Sequence, residues 1–224
     1  MSSFSAAAPA PLIATEAHAA FCYAAIERAF VASASAAAAS GGGGAGGPAA
    51  PPPLPPPSFD GEALAPFFVS LSIGARLRGC LGSLSPRPLR ELEDWACRSA
   101  FRDSRFAPLE AHELGPALSL SVSLLHSHEG IGRAAEDWEL GLHGITLDFS
   151  NDRGERFRGT YLPYVAPAQS WTRAEAVRHL VRKAGFLGDA ALVAASFSVT
   201  RFQASVVELS YAAYCAQRPP SPVL

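Results

Sequence analysis

Among the residues able to do chemistry, Cys80 has the most unusual setting, the stretch ARLRGCLGS at 75–83. A thiolate is a nucleophile, and a neighbouring cation favours it over the thiol. The stretch reads as a β-strand, in which residues two apart share a face. That spacing puts Arg78 beside Cys80 and turns Leu77 and Leu81 toward the core. Gly79 and Gly82 then leave room for a ligand or a second backbone to come close. The plain alternative is a small cysteine in a tight sheet, with Arg78 in a structural ion pair.

Three further groups offer charge or a ring nitrogen. RSAFRDSRF ends a helix and presents Arg102 and Arg105 to an anion, or closes on itself through Asp103. DWELGLHG sets His143 among Asp137 and Glu139, which suits a general base or a structural donor. LLHSHEG places His126 and His128 two apart, with Glu129 adjacent. Two same-face histidines can ligate zinc, but the spacing supplies no third ligand, so neither metal nor cofactor is expected. The sequence holds no Gly-rich phosphate loop, no nucleophile elbow and no basic-aromatic surface.

The elements that must position these residues follow from periodicity. Thr15 suits an N-cap, and Cys22, Ala25, Ile26, Ala29 and Phe30 share one face of a helix over about 16–32. FFVSLSIG alternates through Phe67, Val69, Leu71 and Ile73, turns at Gly74-Ala75 and returns antiparallel as RLRGCLGS. Pro86 and Pro88 open a helix carrying Leu89, Leu92, Ala96 and Ala100. ALSLSVSLL is a strand with one apolar face and one face of serines. GITLDFS and ERFRGTYL form a hairpin around NDRG. Thr172 and Glu175 make a capping box for a helix stopped by Gly185, and a last strand covers SFSVTRFQASVVEL. Hairpin strands with helices between them indicate α+β with a largely antiparallel β-sheet and packed helices.

The bulk properties narrow the function classes. The 224 residues carry a formal net charge of -2 and are 49% hydrophobic, enough for one core and without a general pull toward nucleic acid. Lys183 is the only lysine among 18 basic residues. Four cysteines without a C-x-x-C pair point to a reducing compartment, cytoplasmic or nuclear. No 18-residue apolar run occurs, so no membrane contact is expected. Residues 1–14 and 218–224 read as tails around one domain, 15–217. That domain is interrupted at 33–57 by an Ala/Gly/Pro insertion too poor in large apolar residues to order itself. Deleting 36–56 is expected to leave stability nearly unchanged.

Taken in order, these segments resemble the AMMECR domain family, whose hallmark is Leu-Arg-Gly-Cys-Ile-Gly. Here the motif reads LRGCLG, Leu77 to Gly82, with Leu81 in place of Ile. DSRF (103–106), SVSLL (121–125), DWELGLHGI (137–145), TYLP (160–163) and LSYAAY (209–214) are similar to the family as well. The family has Gln or Glu where this chain has Tyr164.

The resemblance implies an α+β fold with a larger and a smaller lobe and a cleft lined by the motif. It implies no particular reaction. Eukaryotic members look like intracellular regulatory or scaffold-type proteins, whereas in prokaryotes the domain accompanies a Memo-type domain and a radical-SAM protein. The expected binding cleft comprises Arg78, Gly79, Cys80, Gly82, Asp103, Arg105, His143 and Tyr161. It would recognise a protein segment or a small anion. The alternative is an enzyme with Cys80 as nucleophile and His143 as base. A nucleic-acid factor is the least supported reading.

Overall fold

Alternating apolar residues and Gly-containing turns build the sheet of the computed structural model, which describes residues 10–40 and 57–217 of the chain. The elements in chain order are α1 (Glu16–Ser40), β1 (Leu64–Ile73), β2 (Arg76–Pro88), α2 (Leu92–Phe101), β3 (Leu118–Gly132), β4 (Gly144–Ser150), β5 (Arg156–Tyr161), α3 (Val165–Ala168), α4 (Arg173–Lys183), β6 (Ser198–Ser210) and α5 (Tyr211–Ala216). The six strands form one sheet in the order β2-β1-β3-β6-β4-β5. β1 pairs antiparallel with β2 and β3, and β4 pairs antiparallel with β5 and β6. The fold is α+β, as the periodicity indicated.

The described chain divides into two compact units. In the unit containing Ile13–Leu124 and the chain from Val206, the core faces of β1 and β3 meet α1 and α2. Phe67, Val69, Leu71, Leu120 and Val122 are fully buried there with Tyr23, Ile26 and Leu92. In the unit containing Leu125–Ser205, α4 covers the β4–β5 hairpin through Val177, Leu180 and Val181, packed with Ile145, Leu147 and Phe149. No described helix is long and apolar enough to cross a membrane.

Several local expectations hold. Gly74 takes φ +57 in the two-residue turn between Ile73 and Arg76. Thr172 and Glu175 cap each other at α4, and Gly185 takes φ +102 beyond its end.

Others need correction. α1 continues through the Ala/Ser stretch to Ser40 instead of ending near 32, because alanine is the best helix former. Residues 41–56, most of the expected insertion, lie outside the described residues, as do 1–9 and 218–224. Pro86 and Pro88 belong to β2, an edge strand where proline is tolerated, and α2 begins at Leu92 after a 3-10 turn over Leu89–Glu91. α5, unforeseen from the sequence, is capped by Ser210, and Tyr211 donates a 2.6 Å hydrogen bond to Glu27 of α1.

The largest correction falls on the motif. The β1–β2 register shifts between Leu71 and Ser72, so Leu71 opposes Gly79 while Ser72 opposes Leu77 and Arg78 is skipped. A bulge of this kind breaks strict alternation. Leu77 and Leu81 therefore do not share a core-facing side. Leu77 opposes Ser72 and is 44% exposed, whereas Leu81 opposes Val69.

Candidate functional site

Each glycine of the motif answers a packing demand. A Cβ on Gly79 would overlap the backbone carbonyl of Ser99 in α2, and one on Gly82 would overlap the Phe67 carbonyl in β1. Ser99 completes the join. Its hydroxyl, 1% exposed as a residue, donates to the Val69 carbonyl at 2.9 Å and accepts the Leu81 N–H at 3.0 Å. The room left by these glycines is filled by the protein itself.

Arg78 does not stand over the thiol. Its Nε and Nη2 bind the two carboxylate oxygens of Glu113 at 2.8 Å each, Nη1 donates to the Ala107 carbonyl and Nη2 to the Pro108 carbonyl. The pair raises the Arg78 pKa and lowers that of Glu113, chiefly through this hydrogen-bonded contact. The bulge thus turns Arg78 into a clamp on the segment 107–113.

The cation beside Cys80 is Arg105. Asp103, 5% exposed, accepts the Cys80 N–H at 2.9 Å and the Arg105 Nε and Nη2 at 2.9 and 2.6 Å. Arg105 Nη2 also donates to the Cys80 carbonyl at 2.8 Å. The Arg105 hydrogen bonds hold the Asp103 carboxyl well below the usual carboxylate range. Asp103 in turn raises the Arg105 pKa, with a smaller contribution from the Cys80 thiol. The Cys80 Sγ accepts a 3.1 Å hydrogen bond from the Ser70 hydroxyl.

Opposed residues in an antiparallel pair share a face. The registers β2–β1–β3 therefore align Leu77–Ser72–Ser119, Cys80–Ser70–Ser121 and Gly82–Phe68–Ser123 on the side away from Val69 and Leu71. Cys80 lies in a half-buried face of small hydroxyl side chains, bordered by Arg105. The serine alternation of β3 was visible in the sequence. Its alignment with Cys80 depends on the bulge, which was not.

Arg78, Gly79, Cys80, Gly82, Asp103 and Arg105 come together in the first unit. His143 and Tyr161 belong to the other. The His143 Nδ1 accepts the Glu139 N–H at 3.1 Å, so its neutral ring carries the proton on Nε2. The Tyr161 ring packs against Trp171 and under the Lys183 ammonium, 4.6 Å from its centroid. Ser127, at φ 52, sits between His126 and His128, so the simple two-apart rule does not apply there. Among the described residues no group of three or more His, Cys, Asp or Glu side chains is placed to hold a metal.

An α+β domain with a glycine-locked LRGCLG strand and a carboxylate–arginine brace is the class that fold and site define. The profile of the AMMECR1 family matches residues 29–207, and the chain belongs to that family. An uncharacterized protein of Arabidopsis thaliana is 41% identical over 142 residues, which span 62% of this chain and 65% of that protein. One from Schizosaccharomyces pombe is 34% identical over 154 residues, or 66% of this chain and 77% of that protein. The crystal structure of an uncharacterized protein from Pyrococcus horikoshii has the same fold, with a TM-score of 0.62 and 24% identity. That likeness covers 88% of this chain and 93% of the other.

Proposed function

We propose that this chain is a regulatory binding module whose Cys80–Ser70–Ser121 face receives a segment of another protein. The observation that carries the reading is the register-aligned row of small hydroxyl and thiol side chains beside Arg105. Small side chains let a second backbone come close, and each serine hydroxyl can donate and accept. Among the described residues the Arg105 Nη1 makes no hydrogen bond, and its side chain is 55% exposed, so it can meet a carbonyl or carboxylate of the incoming segment. A small free anion suits the face less well, because the donors of Arg78 are turned onto Glu113 and two carbonyls. Four free cysteines support a cytoplasmic or nuclear setting.

The test is cross-linking capture from cell extract with the full chain, followed by binding of the captured protein in purified form. Ser121→Leu fills the face from β3. Arg153→Ala, in the β4–β5 turn, serves as control. Loss of the purified partner with Ser121→Leu alone, at unchanged melting temperature, is the expected result. A partner that binds Ser121→Leu and wild type equally would overturn the reading.

A further inference from the structure

The unit that carries His143 contains a hollow of about 540 Å³, lined by Asp137, Trp138, Glu139, Leu140, His143, Arg173 and Arg201. This is within the size range of small-molecule sites, roughly 300–1,000 Å³. Its charges are not equivalent. Arg201 is bound to Glu129 through Nε at 2.9 Å and Nη2 at 2.8 Å, while its Nη1 meets the Asp137 carbonyl at 2.8 Å and carboxylate at 3.4 Å. Arg201 and Asp137 thus satisfy each other.

Two ionic groups remain. Arg173 makes one long hydrogen bond, 3.3 Å from Nη1 to the Trp138 carbonyl. Glu139 has no side-chain partner among the described residues. His143 adds an Nε2–H donor, because its Nδ1 is held by the Glu139 N–H. Leu140, 40% exposed, contributes an apolar wall.

We propose that this hollow binds a small zwitterion of the dipeptide class, its carboxylate on Arg173 and its ammonium on Glu139. Arginine matches a carboxylate through two parallel N–H donors. A phosphate-like dianion fits poorly. The first turn of α4 is already capped by the Glu175 carboxylate, which accepts from Thr172 N and Oγ1 at 2.8 Å each, and Glu139 would repel such a ligand. A ligand with one charge of each sign satisfies both free groups, and its apolar side chains can lie on Leu140. This inference is independent of the Cys80 face, and either can fail without the other.

The probe is leucyl-leucine with free termini, titrated into the full chain and followed by the Trp138 indole and His143 ring resonances. N-acetyl-leucyl-leucine, leucyl-leucine amide and inorganic phosphate form the other arms. Saturable shifts are expected with the free dipeptide, and binding about tenfold weaker with either blocked form. Arg173→Gln should cost the free dipeptide about tenfold and abolish discrimination against the amide. Glu139→Gln should do the same for the acetylated form. Both positions are exposed, so both variants should fold; should one not, the blocked dipeptides on wild type decide alone. No saturable shift up to about 20 mM, equal binding of free and blocked dipeptides, or phosphate shifting the same resonances as strongly would each overturn the proposal.

Discussion

Arg78 grips Glu113 through two parallel hydrogen bonds of 2.8 Å, with the two side chains only 16% and 15% exposed. The motif arginine is therefore part of the architecture that holds the segment 107–113 to β2, not a free cation. Removing one partner of a pair so sheltered leaves an uncompensated charge, at a cost of about 3 kcal/mol. Arg78→Ala should lower unfolding free energy by roughly that amount in urea titrations. Arg78→Lys should recover little, because an ammonium cannot bind both Glu113 oxygens and two carbonyls in the same fork. A variant as stable as wild type would show that the clamp contributes nothing.

The same strand makes a sharper demand at Gly79. A Cβ there meets the Ser99 carbonyl of α2, which is backbone and cannot rotate aside. Gly79→Ala should destabilise by about 3 kcal/mol, the upper part of the range for overpacked sites. Gly115, where an added Cβ meets nothing, supplies the comparison. Gly115→Ala should leave the melting temperature within a few degrees of wild type, roughly the shift that a few tenths of a kcal/mol produce.

Local signals were legible where one residue decides the outcome. Gly74 as a turn, the Thr172–Glu175 box, and the alternations of β1, β3 and β4 could all be read from spacing. The face of Cys80 could not, because it depends on a bulge at Arg78 set by pairing between distant segments. Glu113 and Ser99 carried no sequence signal linking them to the motif, since their roles come from contacts across 35 and 18 residues. The pairing of Arg78 with Glu113 escaped the sequence reading for that reason. The partner is specified by tertiary packing, and a two-residue periodicity cannot reveal it. α5 was missed because six residues are too few to show a helical period, while its hold on Glu27 is long-range.

Thiol labelling separates a binding face from an activated nucleophile. Cys22 is fully buried and burial pushes its thiol up; Cys97 is raised for the same reason. Cys22 should resist iodoacetamide at pH 7 until the chain unfolds, and half-buried Cys97 should label more slowly than a free thiol. Cys80, half-buried beneath the Ser70 hydroxyl, should label in the native state but no faster than a small free thiol. Arg78, two residues away, and Arg105, which borders the thiol in space, are both held in ion pairs with carboxylates. Labelling many times faster than the free thiol would favour the enzyme reading over the binding module.

Asp103 gives the motif a pH dependence of known sign. Its carboxyl is held well below the usual range, first by the Arg105 hydrogen bonds and then by the Cys80 and Arg105 N–H groups. A group whose folded pKa is depressed adds stability that is complete above the unfolded value, near 3.9. That stability is lost as pH falls below it toward the folded value. Urea midpoints should accordingly be steady from about pH 7 to 5 and fall steeply below about pH 4. Glu113, lowered by Arg78, acts in the same direction. Asp103→Asn should cost about 2 kcal/mol at neutral pH, because an amide cannot accept all the charged hydrogen bonds. It should also flatten the acid limb while leaving the share due to Glu113. An unchanged acid limb in Asp103→Asn would mean that the carboxylate does not brace Cys80 in solution.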